Sequence, residues 1–352
     1  MCFPSGVEFQ LYTELYQQCG EIDPSGRSER RTSHIIATRR NPIMEWDSEA
    51  PRTFLDLAEE DAEVADIVVL SLPYELTVSY GQGTAQGPAA CIEASTQVEL
   101  YDPLLDDELP AGKTIATVEP WNGEGGSLAE QLEGIERYCS KWMDGNRFPL
   151  VLGGEHGSLP AQLKALRNHP VLEGEISRLT LVQIDAHADL RQELDGDPNS
   201  HACAVRRSLD LGVGSVLQVG VRAYSKEESE VIEGDDRVTT WFARDLLSPC
   251  DGEKNWNSLL SVLSAIEGPV WLTIDVDGLD GRLVPHTGTP VPGGVEFWQV
   301  VEVIEALFAS DSSEVLGADI SEIVPGIEGP LTQFMAAMLA TKIIAAHIAS
   351  LR

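Results

Sequence analysis

The chain has 352 residues, 57 acidic against 24 basic, for a formal net charge of −33. That length can bury a large core, either as one big α/β domain or as two smaller ones. So anionic a surface repels phosphate backbones and acidic lipid, which argues against nucleic-acid and membrane partners; it favours solubility and attracts small cations, most strongly at low ionic strength.

Residues 1–62 show no sustained periodicity. They carry an arginine-rich segment from Arg27 to Arg40 and are broken by Pro, Gly and Ser. The expectation is an N-terminal extension wrapped on the body or used at a subunit contact. No charged segment leads into an apolar run there, and no stretch of the chain reads as a membrane span. The six cysteines (Cys2, Cys19, Cys91, Cys139, Cys203, Cys250) are scattered without a C-x-x-C pair. They read as reduced thiols of a cytoplasmic protein, neither a disulfide framework nor a zinc knuckle.

Residues 63–352 alternate short apolar runs with helical patterns. Strands are expected at 67–72, 114–118, 150–152, 179–184, 216–221, 270–274 and 315–320. These runs are rich in Val, Ile and Leu and lack the alternation of a half-wet strand, so they suit a sheet covered on both faces. Helices are expected at 128–143, 159–167, 295–308 and 331–351, the last opening on Gly329-Pro330. The alternation implies βαβ units and one mostly parallel sheet between helical layers. No linker or internal repeat interrupts it, so a single catalytic domain is expected.

Ligands of open α/β sheets sit beyond the carboxyl ends of the strands, and the chemically suggestive residues cluster there. Leu150-Val151-Leu152 runs into Gly153-Gly154-Glu155-His156, where glycines permit a sharp turn and close backbone approach. Ile184 is followed by Asp185-Ala186-His187-Ala188-Asp189. Ile274 is followed by Asp275-Val276-Asp277, with Asp280 close behind. Ile320 is followed by Ser321-Glu322. A lone histidine or aspartate in such a place is usually a hydrogen-bonded loop residue or a helix cap. The set is different, because clustered carboxylates without a cation repel one another. Together they hold more anionic oxygen than one ion needs, which points to two. Oxygen-dominated ligands with an occasional imidazole suit Mn²⁺ better than Zn²⁺ or Ca²⁺, with Ni²⁺, Co²⁺ or Fe²⁺ as possible replacements.

These residues resemble the ureohydrolase family of arginases and agmatinases. The motifs are Gly153-Gly154-Glu155-His156, Asp185-Ala186-His187-Ala188-Asp189, Ser200-His201-Ala202 and Asp275-Val276-Asp277 through Thr287-Gly288-Thr289-Pro290. The resemblance implies a three-layer α/β/α fold and a two-manganese centre. One ion would take His156, Asp185, Asp189 and Asp275; the other would take Asp185, His187, Asp275 and Asp277. It further implies that Asp189 orients the attacking water, that Glu322 pairs with a substrate guanidinium, and that His201 carries a proton to the leaving amine. Homotrimers or homohexamers are implied as well. The Ser200–Arg207 loop and Gln218-Val219-Gly220-Val221-Arg222 look like agmatinases rather than arginases, so the expected reaction is agmatine to putrescine and urea. Arg191 leaves 4-guanidinobutyrate open, and guanidinopropionate, arginine and guanidine remain alternatives. Gly157, Gly281 and His286 depart from the family's usual residues, and Gly157 and His286 are expected near enough to the pocket to bear on substrate choice.

Overall fold

The computed structural model describes residues 52–123, 126–326 and 329–352. In chain order the elements are β1 (Ile67–Leu72), α1 (Gly87–Ser95), β2 (Tyr101–Asp102), β3 (Asp107–Glu108), β4 (Ile115–Thr117), α2 (Leu128–Cys139), β5 (Phe148–Gly153) and α3 (Leu159–Ala165). Then come β6 (Thr180–Ile184), α4 (Ala204–Asp210), β7 (Ser215–Val221), α5 (Lys226–Gly234), β8 (Val238–Phe242), α6 (Ala243–Leu246) and α7 (Gly252–Ser264). The chain closes with β9 (Gly268–Asp275), α8 (Phe297–Phe308), β10 (Ser313–Ser321) and α9 (Leu331–Ser350).

Eight strands form one sheet in the order β4-β1-β5-β10-β9-β6-β7-β8, every neighbouring pair parallel. β2 and β3 make a separate small hairpin. Alternate residues of each strand feed two cores. Ile67 and Val69, Val182 and Ile184, and Val270, Leu272 and Ile274 pack with α1, α7, α8 and α9. Val68 and Leu70, Leu181 and Trp271 pack with α2, α3 and α4 on the opposite face. Period-two alternation thus divides into two apolar sets because both faces are covered. The described residues form a single α/β/α domain of three layers.

Each of the seven expected strands lies in this sheet. The eighth, β8, escaped detection because it is an edge strand, Val-Thr-Thr-Trp-Phe, with only Val238 buried. Helix ends differ by local chemistry. α2 begins at Leu128 because Ser127 and Glu130 cap one another's backbone amides, and it stops at Cys139 rather than Met143. α8 begins two residues later than expected, at Phe297, behind a reciprocal Glu296–Gln299 cap. α1, α4, α5, α6 and α7 lie outside the expected helices; α1 is apolar on several sides and shows no helical stripe. α9 is long and apolar enough to cross a membrane by composition, yet it packs against α1 and α8 inside the body. Residues 1–51 of the expected extension lie outside the described residues. Within 52–62, Phe54 and Leu55 are buried, their amides held by Thr117 and Ser95.

Candidate metal centre

β5, β10, β9 and β6 are four adjacent strands at the middle of the sheet. Their carboxyl ends carry His156, Glu322, Asp275 with Asp277, and the Asp185–Asp189 segment. Segments far apart in sequence therefore converge on one spot. Gly154 makes the approach possible: a Cβ there would lie 2.0 Å from the Tyr74 carbonyl oxygen.

Two groups of potential ligands result, His156 with Asp185 and Asp275, and Asp185 with His187 and Asp277. Asp185 is common to both. His156 Nδ1 lies 3.2 Å from Asp185 Oδ2 and 3.9 Å from Asp275 Oδ2. Asp189 stands outside both groups but adjoins the first, its Oδ2 2.8 Å from His156 Nδ1. His187 Nδ1 is 3.0 Å from Asp277 Oδ2 and 3.6 Å from Asp185 Oδ1. Asp275, expected to bridge, joins the first group only. Asp189 and Glu322 both adopt left-handed backbone, at φ 54° and 62°, a conformation costly for side chains with a Cβ and concentrated at functional sites.

The electrostatics fit divalent cations. Burial opposes charge on His156, yet Asp185 and Asp189 outweigh it and hold its pKa well above the usual range. His187 is likewise driven up to about 11, against burial, by Asp185 and Asp277. Burial and the Asp185 charge raise Asp189 to about 7. Burial, then Asp277, Asp185 and Glu322, push Asp275 well above the carboxylate range. Burial raises Glu322 to about 8, with the charges of Glu155 and Asp277 adding to it and the His156 amide opposing. Asp185 is held low by the two imidazoles in spite of burial. Four aspartates thus crowd one spot beside two imidazoles, and two divalent cations would neutralise those four charges.

A polar row runs directly beneath the ligands. Thr240, Gln218, Gln183, Thr273 and Asp319 occupy successive register partners across β8, β7, β6, β9 and β10. Thr240 Oγ1 donates to Gln218 Oε1 at 2.8 Å, Gln218 Nε2 to Gln183 Oε1 at 2.6 Å, and Gln183 Nε2 to Asp185 Oδ2 at 2.7 Å. At the other end Trp271 Nε1 and Thr273 Oγ1 donate to Asp319 at 2.6 and 2.9 Å. With its proton given to Asp319, Thr273 Oγ1 accepts from His156 Nε2, 2.9 Å away. That leaves the Nδ1 lone pair of His156 for a cation. The sequence held one clue to this row: polar residues inside strands that are otherwise wholly apolar.

Above the ligands is a cavity of about 390 Å³, lined among others by Asp189, His201, Glu322, Arg191, Glu228 and Tyr224. Glu322 takes the His156 amide on Oε1 at 2.8 Å. His201 sits across the cavity in the turn before α4, its ring against Thr77 and Ser79. Arg191 lies 3.7 Å from Glu228, which also accepts the Leu190 amide. Arg222 donates to the carbonyls of Asp277, Gly278 and Leu279 and so pins the turn carrying Asp277. Asp280 braces its own loop through the Gly293 amide. Gly157 lies against His201, where a Cβ would stand 3.2 Å from the His201 nitrogen. His286 does not line the cavity; its ring packs on Gly326 and its amide donates to Thr332.

A family profile described as "Arginase family" matches residues 65–346. The N(1)-aminopropylagmatine ureohydrolase of Synechocystis sp. is 31% identical over 304 residues, covering 84% of this chain and 93% of that protein. The agmatinase of Bacillus anthracis is 34% identical over 271 residues, 75% of this chain and 85% of its own. Among solved structures, the agmatine ureohydrolase of Thermoplasma volcanium aligns with a TM-score of 0.69 at 26% identity, over 82% of this chain and 92% of its own.

Proposed function

The chain belongs to the arginase family as an agmatinase-like ureohydrolase, and on that premise we propose that it hydrolyses agmatine to putrescine and urea. The observation carrying the proposal is the pair of His/Asp groups sharing Asp185 at the floor of a cavity that Glu322 and His201 also line. His156, Asp185, Asp189 and Asp275 would hold one divalent ion, and Asp185, His187, Asp275 and Asp277 the other. Manganese suits this mix of carboxylate and imidazole best. When bound, such a pair supplies a water acidified to near neutrality.

The chain's own residues do the rest. A guanidinium is resonance-stabilised and cationic, so it must be held still and its leaving amine protonated. Glu322 forms charge-assisted hydrogen bonds to the guanidinium and fixes its carbon over the attacking water. Asp189 accepts a hydrogen bond from that water and orients it. His201 takes the proton that the attacking oxygen sheds and passes it to the departing nitrogen as the C–N bond breaks, giving a neutral urea and an amine.

Arg191 bears on the substrate's far end. Its charge is matched by Glu228 rather than left free for a carboxylate, which supports a cationic tail over 4-guanidinobutyrate. A longer cationic tail is the second possibility, because the Synechocystis relative is named for aminopropylagmatine. Urea release after manganese loading decides the matter, measured on agmatine, aminopropylagmatine, arginine, 4-guanidinobutyrate, guanidinopropionate and guanidine. Turnover of agmatine or its aminopropyl derivative well above the acids is the expected result. No urea from any of them, with metal bound, would refute the activity.

A further inference from the structure

We infer that Thr77 and Glu155 set the tautomer of His201, placing the proton on Nδ1 and making Nε2 the atom that exchanges protons in the cavity; the inference rests on the ureohydrolase reading. None of the three is close in sequence to another. Thr77 follows β1, Glu155 follows β5, and His201 sits in the turn before α4. The fold brings them together beside the metal centre.

Glu155 is fully buried and makes no contact with the metal cluster through its carboxylate. Its two oxygens accept the Thr77 amide at 2.6 and 2.9 Å, and Oε2 also accepts the Thr77 hydroxyl at 2.9 Å. A threonine hydroxyl has one proton and two lone pairs. The hydroxyl proton points at the Glu155 carboxylate, whose two oxygens already accept the Thr77 amide. Both lone pairs are then available, and two groups of His201 approach them. The His201 amide donates to Thr77 Oγ1 at 3.0 Å, and Nδ1 lies 3.2 Å from the same oxygen. An oxygen that can only accept requires Nδ1 to carry the proton. Ser200 Oγ lies farther from Nδ1, at 3.4 Å, beyond a good hydrogen bond.

Nε2 is therefore the basic nitrogen of the neutral ring. Its neighbour is Ser79 Oγ at 3.4 Å, and Ser79 and His201 both line the cavity. The arrangement follows the logic of a base oriented by a third group. Here the orienting carboxylate acts through a hydroxyl. Thr77 and Glu155 are positioning residues: they touch neither substrate nor metal.

Thr77→Val keeps the volume and removes the hydroxyl, whereas Thr77→Ser keeps the hydroxyl. On manganese-loaded protein, Thr77→Val should lower kcat by roughly tenfold to a hundredfold. KM and manganese content should stay within about twofold, and Thr77→Ser should recover most of kcat. In a His201→Ala background Thr77→Val should cost nothing further, since its effect passes through the ring. The tautomer is read without turnover from the ring nitrogen shifts of ¹⁵N-histidine protein loaded with diamagnetic zinc. A protonated Nδ1 on His201, lost or mixed in Thr77→Val, supports the inference. An Nε2-protonated ring in the parent overturns it, as does undiminished kcat in Thr77→Val, loss of manganese in that variant, or an equal loss without His201. Absence of urea from the parent on every guanidine tested, with its metal bound, instead removes the ureohydrolase reading and leaves the tautomer measurement standing.

Discussion

Glu322 occupies a left-handed backbone position at the end of β10, with one oxygen committed to the His156 amide and its side chain in the cavity wall. Under the proposed function it differs from the six ligands in kind: it would hold the substrate, they the ions. Substitution separates the two roles. Glu322→Gln should keep both metals and lose turnover by on the order of a hundredfold, because the charge pairing that holds the guanidinium is gone. His187→Ala and Asp277→Ala should instead lower the metal content measured by elemental analysis. Unchanged turnover in Glu322→Gln, or full metal content in both alanine variants, contradicts the division. Most of these residues were legible one by one, because acids and histidines just past apolar runs are conspicuous. Arg191 was legible as a charge but not as a partner of Glu228, which is 37 positions away.

At the scale of elements, the polar row across β8, β7, β6, β9 and β10 connects strands to ligands. Gln218 is fully buried, touches no proposed ligand, and holds Gln183, which holds Asp185. Gln218→Leu leaves the Gln183 and Thr240 groups without their partner. A loss of about 1–3 kcal/mol in stability should follow, as expected for orphaned buried polar groups. Metal affinity should fall with it, since Asp185 loses its brace. Thermal unfolding and metal titration of the variant check both, and wild-type metal affinity counts against the coupling. Apolar runs in the sequence marked β7, β6, β9 and β10 but not β8 and not this row, because a register partner is defined only once strand order is known. Gln183 and Gln218 are next to each other in the sheet and 35 residues apart in the chain.

For the whole molecule, two dependences on solution conditions follow. The first is pH. His187, raised to about 11 in the folded protein without metal, contributes stability that is complete below its unfolded value and fades as pH climbs toward 11. Glu322, raised to about 8 by burial, binds more protons folded than unfolded, so stability falls as pH rises from the ordinary carboxylate value through 8. Asp185, held low, works the other way: it loses its contribution only on the acid side. Metal-free protein should therefore be most stable at mildly acidic pH and lose melting temperature steadily toward pH 9. Saturating manganese should remove most of that slope, since the ions then balance the carboxylates. A flat profile without metal would show the cluster to be far less strained than its geometry implies. The second is salt. With a net charge of −33, the protein's field should gather a dicationic substrate, and raising ionic strength from roughly 0.05 to 0.5 M should raise KM several-fold with little change in kcat. An unchanged KM would assign the acidic surface to solubility alone.

The residues alone determined the fold class and the family, because covered parallel strands read as nearly continuous apolar runs and because ligand types leave a mark at strand ends. They could not determine which ends would meet. That was decided by the strand order β5-β10-β9-β6, which places four remote loops side by side, and by close backbone approach at Gly154. Thr77 was silent for the same reason, and Thr273 and Asp319 stood out only as polar residues in apolar strands, without their partners. A hydroxyl or buried acid acquires a role only from what the folded chain sets within 3 Å or so of it, and a linear sequence does not contain that distance.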